Sequence, residues 1–251
     1  IVRHAILNNR INNANVTTIF EDKSGIIWIG TENDGLYKFK FLENVDHYAY
    51  NATIVTSLSS NKINTIYEDN TGIIWIGTQS GVDKFDKQKQ YFKHYQHWPN
   101  TSHTINSNMV WCIFQDDSFK STLWVGTNEG VNIFDKETGE MTSIAPDFSK
   151  SNIQKNSSIY SVFKDHKGTI YLGSDGGLLT YSNGKLVPVK YEKGENRSRT
   201  YTIKEDKKHR LWLGTKEGLV VVSADRKTFK LYTSANQEHS LKNDVVRSVL
   251  E

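Results

Sequence analysis

Apolar and polar positions along this chain fall into short runs bounded by turn residues, and the runs recur. Ile63 to Glu68 is β-branched and partly alternating, and Asp69-Asn70-Thr71-Gly72 is a turn in which glycine supplies a positive φ. Ile73 to Thr78 follows as a nearly continuous apolar run. Gln79-Ser80-Gly81 turns the chain again, and Val82 to Asp86 and Gln90 to Gln96 are the third and fourth strands. Four strands within about 47 residues leave no room for a helix of ordinary length. The apolar runs fit small sheets covered on both faces by neighbours.

The unit repeats. IIWIGT at Ile26 to Thr31 and Ile73 to Thr78, TLWVGT at Thr122 to Thr127, TIYLGS at Thr169 to Ser174 and RLWLGT at Arg210 to Thr215 place an aromatic at Trp28, Trp75, Trp124, Tyr171 and Trp212. Their spacings are 47, 49, 47 and 41 residues. Six residues before four of these rings stand Asp22, Asp69, Asp165 and Asp206, whereas Asp116 is eight ahead of Trp124, so that turn carries an insertion. Gly35, Gly81, Gly130, Gly177 and Gly218 each precede Leu or Val, and Phe39, Phe85, Phe134 and Tyr181 follow four residues after the first four of them.

Four antiparallel strands per period of roughly 40 to 50 residues predict an all-β fold, a β-propeller of four-stranded antiparallel blades. The large ring of each copy is expected in the wedge between adjacent sheets, with the glycine after it admitting close backbone approach. The predicted division is a last strand of a preceding blade at 1–12, blades at 13–56, 57–103, 104–151, 152–195 and 196–238, and a further first strand at 239–251. That makes five complete blades with half-blades at both ends, an excerpt from a longer propeller.

Composition narrows the classes. No stretch approaches the roughly 18 apolar residues of a membrane span, and an aromatic share of 12% excludes a disordered chain. Cys112 is the single cysteine, so neither an internal disulfide nor a CxxC pattern is available. The net charge of +3, from 31 basic and 28 acidic residues, is too balanced to indicate a nucleic-acid surface.

The assembled pattern, fullest in NKINTIYEDNTGIIWIGTQSGVDKF from Asn61 to Phe85, resembles the two-component regulator propeller repeat over nearly the whole chain. The fourth copy departs at Tyr171 and Ser174 and the fifth at His209 and Val222, which suggests less regular blades. The resemblance implies the periplasmic sensor region of a Bacteroidetes hybrid histidine kinase. Such a region forms part of a seven-bladed propeller and senses polysaccharide-derived oligosaccharides to control utilisation genes by phosphorelay. It further implies no enzymatic activity in this chain, no cofactor, a homodimer through the full-length receptor, and membrane attachment only through the parent chain. Two alternatives stay open: a propeller enzyme of lyase or glycosidase type, and a cell-surface or secretion scaffold.

Positions that vary between copies are the candidates for function. One first-strand position reads Thr17, Asn64, Trp111, Tyr160, Tyr201 and Arg247, side chains suited to stacking on a sugar ring and bonding its hydroxyls. The alternative is that they fill blade interfaces near the central channel. The absence of an acidic residue at this position argues against hydrolysis by a carboxylate pair. The loop Gln96 to His103 adds Trp98 and His97 as ligand contacts, or as a tryptophan folded over the blade edge. The polar turns, Ser174-Asp175-Gly176 among them, are weaker candidates. His94, His97 and His103 lack compact metal-ligand spacing, and the recurrent Glu-Asp pairs 21–22, 68–69 and 205–206 read as turn residues.

Overall fold

The computed structural model describes residues 14–40, 44–144, 157–192, 198–235 and 240–250. The strand expected at 1–12 lies outside them. Among the described residues, twenty strands form five four-stranded antiparallel sheets, each an up-and-down meander in chain order. The blades are β1–β4 (Val16–Glu21, Ile27–Thr31, Leu36–Lys40, Asn44–Tyr48), β5–β8 (Ile63–Glu68, Ile74–Thr78, Gly81–Asp86, Tyr91–Tyr95), β9–β12 (Val110–Phe114, Thr122–Thr127, Gly130–Asp135, Met141–Ile144), β13–β16 (Ile159–Lys164, Ile170–Ser174, Gly177–Ser182, Lys185–Pro188) and β17–β20 (Thr200–Glu205, Leu211–Thr215, Gly218–Val222, Phe229–Tyr232). This is the β-propeller blade architecture. Two compact units are distinguished, one drawn from 1–125 and 134–142 and the other from 126–133 and 143–251.

The repeated aspartate builds the first hairpin of a blade. In the second blade Asp69 Oδ1 accepts the backbone N–H groups of Thr71 and Ile73 at 2.8 and 3.1 Å, while Oδ2 accepts Trp75 Nε1–H at 3.0 Å. Asp22 does the same for Trp28, and Asp206 for Trp212. The ring thus enters the core with its one polar atom satisfied, as burial requires. Trp28 and Trp75 are fully buried, and the edge of each meets a phenylalanine of the next blade, Phe85 and Phe134, with centroids 5.4 and 5.2 Å apart. The glycine two residues on is dictated by the same packing. A Cβ on Gly77 would stand 2.5 Å from Thr65 Cγ2 and 2.7 Å from Val110 Cγ1 of the next blade's first strand.

A second device ties neighbouring blades together. In three blades the residue after the turn aspartate donates its backbone N–H to a side chain at the end of the next blade's first strand: Lys23 to Glu68, Asn70 to Gln115, His166 to Glu205. A cation from the next blade's last hairpin then reaches back to the aspartate. Lys87 lies 3.7 Å from Asp22, Lys136 3.1 Å from Asp69 and Arg226 3.0 Å from Asp165. The Glu-Asp pairs therefore act as turn and clasp residues.

The departures of the fourth and fifth copies do not make irregular blades. Ser174 keeps both bonds of the threonine it replaces, donating to Gly177 O at 2.9 Å and accepting from Gly176 N–H at 3.1 Å, because only the hydroxyl is required. Tyr171 has no N–H for Asp165, and Arg226 supplies the donor instead. Of the further first strand expected at 239–251, residues 240–250 are described. Val246 N–H donates to Thr215 O at 2.9 Å, and Val246 lies over Gly214 as Val110 lies over Gly77. No described strand pairs with it, so no ladder forms.

Candidate functional site

The variable first-strand position is a β-bulge. The pairing of first with second strand shifts register between Val16 and Thr18, Ile63 and Thr65, Ile159 and Ser161, and Thr200 and Thr202, leaving Thr17, Asn64, Tyr160 and Tyr201 outside the ladder. A bulge frees one residue from pairing and re-aims its side chain. Neighbouring first strands pack side by side, β1 on β5, β5 on β9 and β13 on β17, so the freed side chains approach the next blade's bulge.

What they do there depends on residue type. Thr17 donates its hydroxyl to Ile63 O at 2.5 Å, and Asn64 its amide to Val110 O at 2.8 Å. Both acceptors immediately precede the next bulge position, and Asn64 spends its donor on a structural bond. Trp111, half-buried, occupies the equivalent place in β9. In the last two blades the position carries a row of rings and cations. Tyr160 and Tyr201 meet edge to face with centroids 5.4 Å apart, and the Arg247 guanidinium lies 4.9 Å from the Tyr201 ring. Arg199 stands 5.6 Å from the Tyr160 ring and pairs with Asp175 at 2.6 Å. Asp175 also accepts the Tyr160 hydroxyl at 3.0 Å. Burial, together with the neighbouring Asp175 charge, pushes the Tyr160 phenol up, so it stays a neutral donor.

Of the sequence candidates, Tyr160, Tyr201 and Arg247 thus come together, and the Ser174-Asp175-Gly176 turn joins them. Sequence reasoning missed Arg199, which directly precedes the first strand, a place the repeat pattern leaves unspecified. Trp98 and His97 belong to a separate loop. The His97 ring is fixed to Ile105 O at 2.7 Å and its backbone N–H to Asn108 Oδ1 at 2.6 Å, which makes it a loop anchor. Trp98 is 59% exposed and is not folded over the blade edge. His94 bonds Asp83, and His103 lies 3.9 Å from Glu140.

A cleft of about 580 Å³ opens beside the fifth blade, lined by Trp212, Leu219, Leu241, Val246 and Leu250. Trp212 holds the place of the rings that, in the first two blades, meet the next blade's phenylalanine.

With bulge, clasp and Asp-Trp hairpin in place, the comparison with known proteins is direct. The two-component regulator propeller model matches residues 10–33 and 57–80, the first hairpins of the first two blades. Those two stretches are two-component regulator propeller repeats. Solved structures with similar folds include the extracellular domain of a hybrid two-component system of B. thetaiotaomicron, 22% identical over 96% of this chain and 38% of that one, with a TM-score of 0.59. PorZ, a surface component of the type-IX secretion system of Porphyromonas gingivalis, is 20% identical over 94% of this chain and 36% of its own, with a TM-score of 0.68. Virginiamycin B lyase of Staphylococcus aureus is 13% identical over 88% of this chain and 70% of its own, with a TM-score of 0.63. The chain thus spans little more than a third of the length of the B. thetaiotaomicron domain. No curated protein sequence matches it. Among the described residues, no helix is long and apolar enough to cross a membrane.

Proposed function

We propose that this chain is the ligand-recognition part of an extracytoplasmic sensor of hybrid two-component type, located in the periplasm and joined through its parent chain to a membrane-bound histidine kinase. It is a non-catalytic binding module in this reading, and the ligand is an oligosaccharide released from a polysaccharide. The observation that carries the reading is the Tyr160–Tyr201–Arg247 row, with Arg199 and Asp175 at its edge. Aromatic faces beside fixed donors and acceptors are what a sugar needs, since its C–H faces stack while its hydroxyls demand bonds. Tyr160 and Tyr201 sit at a position that the fold leaves free of ladder bonding, where the side chain is not fixed by the blade's own pairing. Signalling would follow from a ligand that binds two arrangements of a receptor homodimer unequally.

Calorimetry of the purified chain against a panel of neutral and acidic oligosaccharides tests the reading, with Trp111→Ala and Tyr201→Ala as variants. Saturable binding weakened about tenfold or more by Tyr201→Ala supports it, because loss of a stacked ring removes one to a few kcal/mol. Binding unchanged in both variants, or no binding across the panel, removes the row as a ligand site. Turnover of any oligosaccharide would replace the sensor reading with an enzymatic one.

A further inference from the structure

The clasp between blades accounts for Glu205 and Arg226 but not for two histidines beside them. His166 stands where the first two blades have Lys23 and Asn70. His209 occupies the left-handed turn position filled by Gly25, Gly72 and Gly168, with φ of 60°. A residue with a Cβ is less at ease there than glycine, so this turn departs from the form the fold prefers. The two rings stack with centroids 3.6 Å apart and planes 21° from parallel. Glu205 Oε1 lies 2.7 Å from His166 Nδ1 and 3.9 Å from His209 Nδ1.

We propose that His166, His209 and Glu205 form a binding site for a borderline transition-metal dication of the zinc class, with water completing the coordination shell. Two imidazoles and one carboxylate are a donor set suited to such an ion, and their ligand atoms lie within 4.8 Å of one another. Glu205 Oε1 receives the His166 ring N–H. Moving that proton to Nε2 exposes Nδ1 to the ion without changing the charge of the site. A ligated ion lies near the plane of each imidazole, and stacked rings do not share such a point. The His209 side chain, 52% exposed, therefore turns out of the stack, while the clasp holds Glu205 and the backbone of His166 in place.

Arg226 sets the strength of the site. Its Nη2 stands 2.9 Å from Glu205 Oε1, where it orients the carboxylate but also repels a cation. Affinity is accordingly modest and reversible, in contrast to a closed structural zinc site.

The test titrates zinc chloride into the untagged chain in chelator-free buffer near pH 7.5 by calorimetry, beside His166→Asn and His209→Gly. Each substitution installs the residue that the second blade carries at that position, so the fold is retained, and circular dichroism checks that it is. One ion per chain in the parent, with affinity reduced about tenfold or more in each variant, and a zinc-dependent rise in melting temperature seen only in the parent, are expected. No heat of binding in the parent, or equal binding by parent and both variants, overturns the proposal.

Discussion

Arg226 reaches Asp165 at 3.0 Å across 61 residues of sequence, joining the last hairpin of one blade to the first hairpin of the blade before it. The same guanidinium bonds Glu205 at 2.9 Å. Asp165 is almost wholly buried, and the backbone N–H groups of Lys167 and Thr169 together with the cation satisfy its carboxylate.

Replacing Arg226 by Met should therefore cost about 3 kcal/mol, because it removes a largely buried guanidinium that bonds two buried carboxylates at 3.0 and 2.9 Å. The equivalent Lys87→Met should cost under about 1 kcal/mol, since that ammonium is half-exposed and its pairs are longer, at 3.5 and 3.7 Å. Urea denaturation of both variants measures the difference, and equal losses would show that the clasp does not depend on burial.

Asp69 predicts an acid transition. Burial alone would raise its pKa, but hydrogen bonds from Thr71, Trp75, Lys136 and Ile73 outweigh burial and bring it down to about 2. A carboxyl lowered in the folded state contributes stability above its unfolded value of 3.8, and that contribution is lost as pH falls toward about 2. Stability measured between pH 5 and 2 should fall less steeply in Asp69→Asn, which starts lower because the charged acceptor of Trp75 is gone. Parallel slopes would count against the assignment.

His94 acts in the opposite direction. Its bond to Asp83 at 2.7 Å raises its pKa above 6.5 against the effect of burial. The stabilisation is complete below 6.5 and is lost as pH rises through the folded value. The parent should lose more stability than His94→Gln between pH 6 and 9, as read by thermal melts, and identical losses would remove the linkage.

Gly77→Ala should destabilise by about 1–3 kcal/mol, because the new methyl meets Thr65 and Val110 at the joint between two blades. Gly184→Ala is the comparison at a turn glycine with nothing within 4 Å, where only the φ of 77° opposes the change. Gly77→Ala should be the costlier of the two by denaturant melts.

The repeat made the blades legible before any coordinates. A fixed period, an aspartate six residues before a large ring and a glycine after it specify local hairpins, and hairpins form from neighbouring residues alone. The bulge position was visible too, as the one first-strand site where Asn64, Trp111, Tyr160 and Tyr201 refuse to agree. Their roles were not visible. Whether a freed side chain bonds a backbone carbonyl, as Asn64 does, or joins a row of rings, as Tyr201 does, depends on what the next blade presents some 40 residues later. Arg199, the Arg226 clasp and the stacked His166 and His209 were likewise unreadable, because each is a contact between turns of different copies. Local sequence therefore determined the blade. Tertiary packing decided which of its exceptions meet, because only the stacking of one blade on the next brings side chains that far apart in sequence within bonding distance.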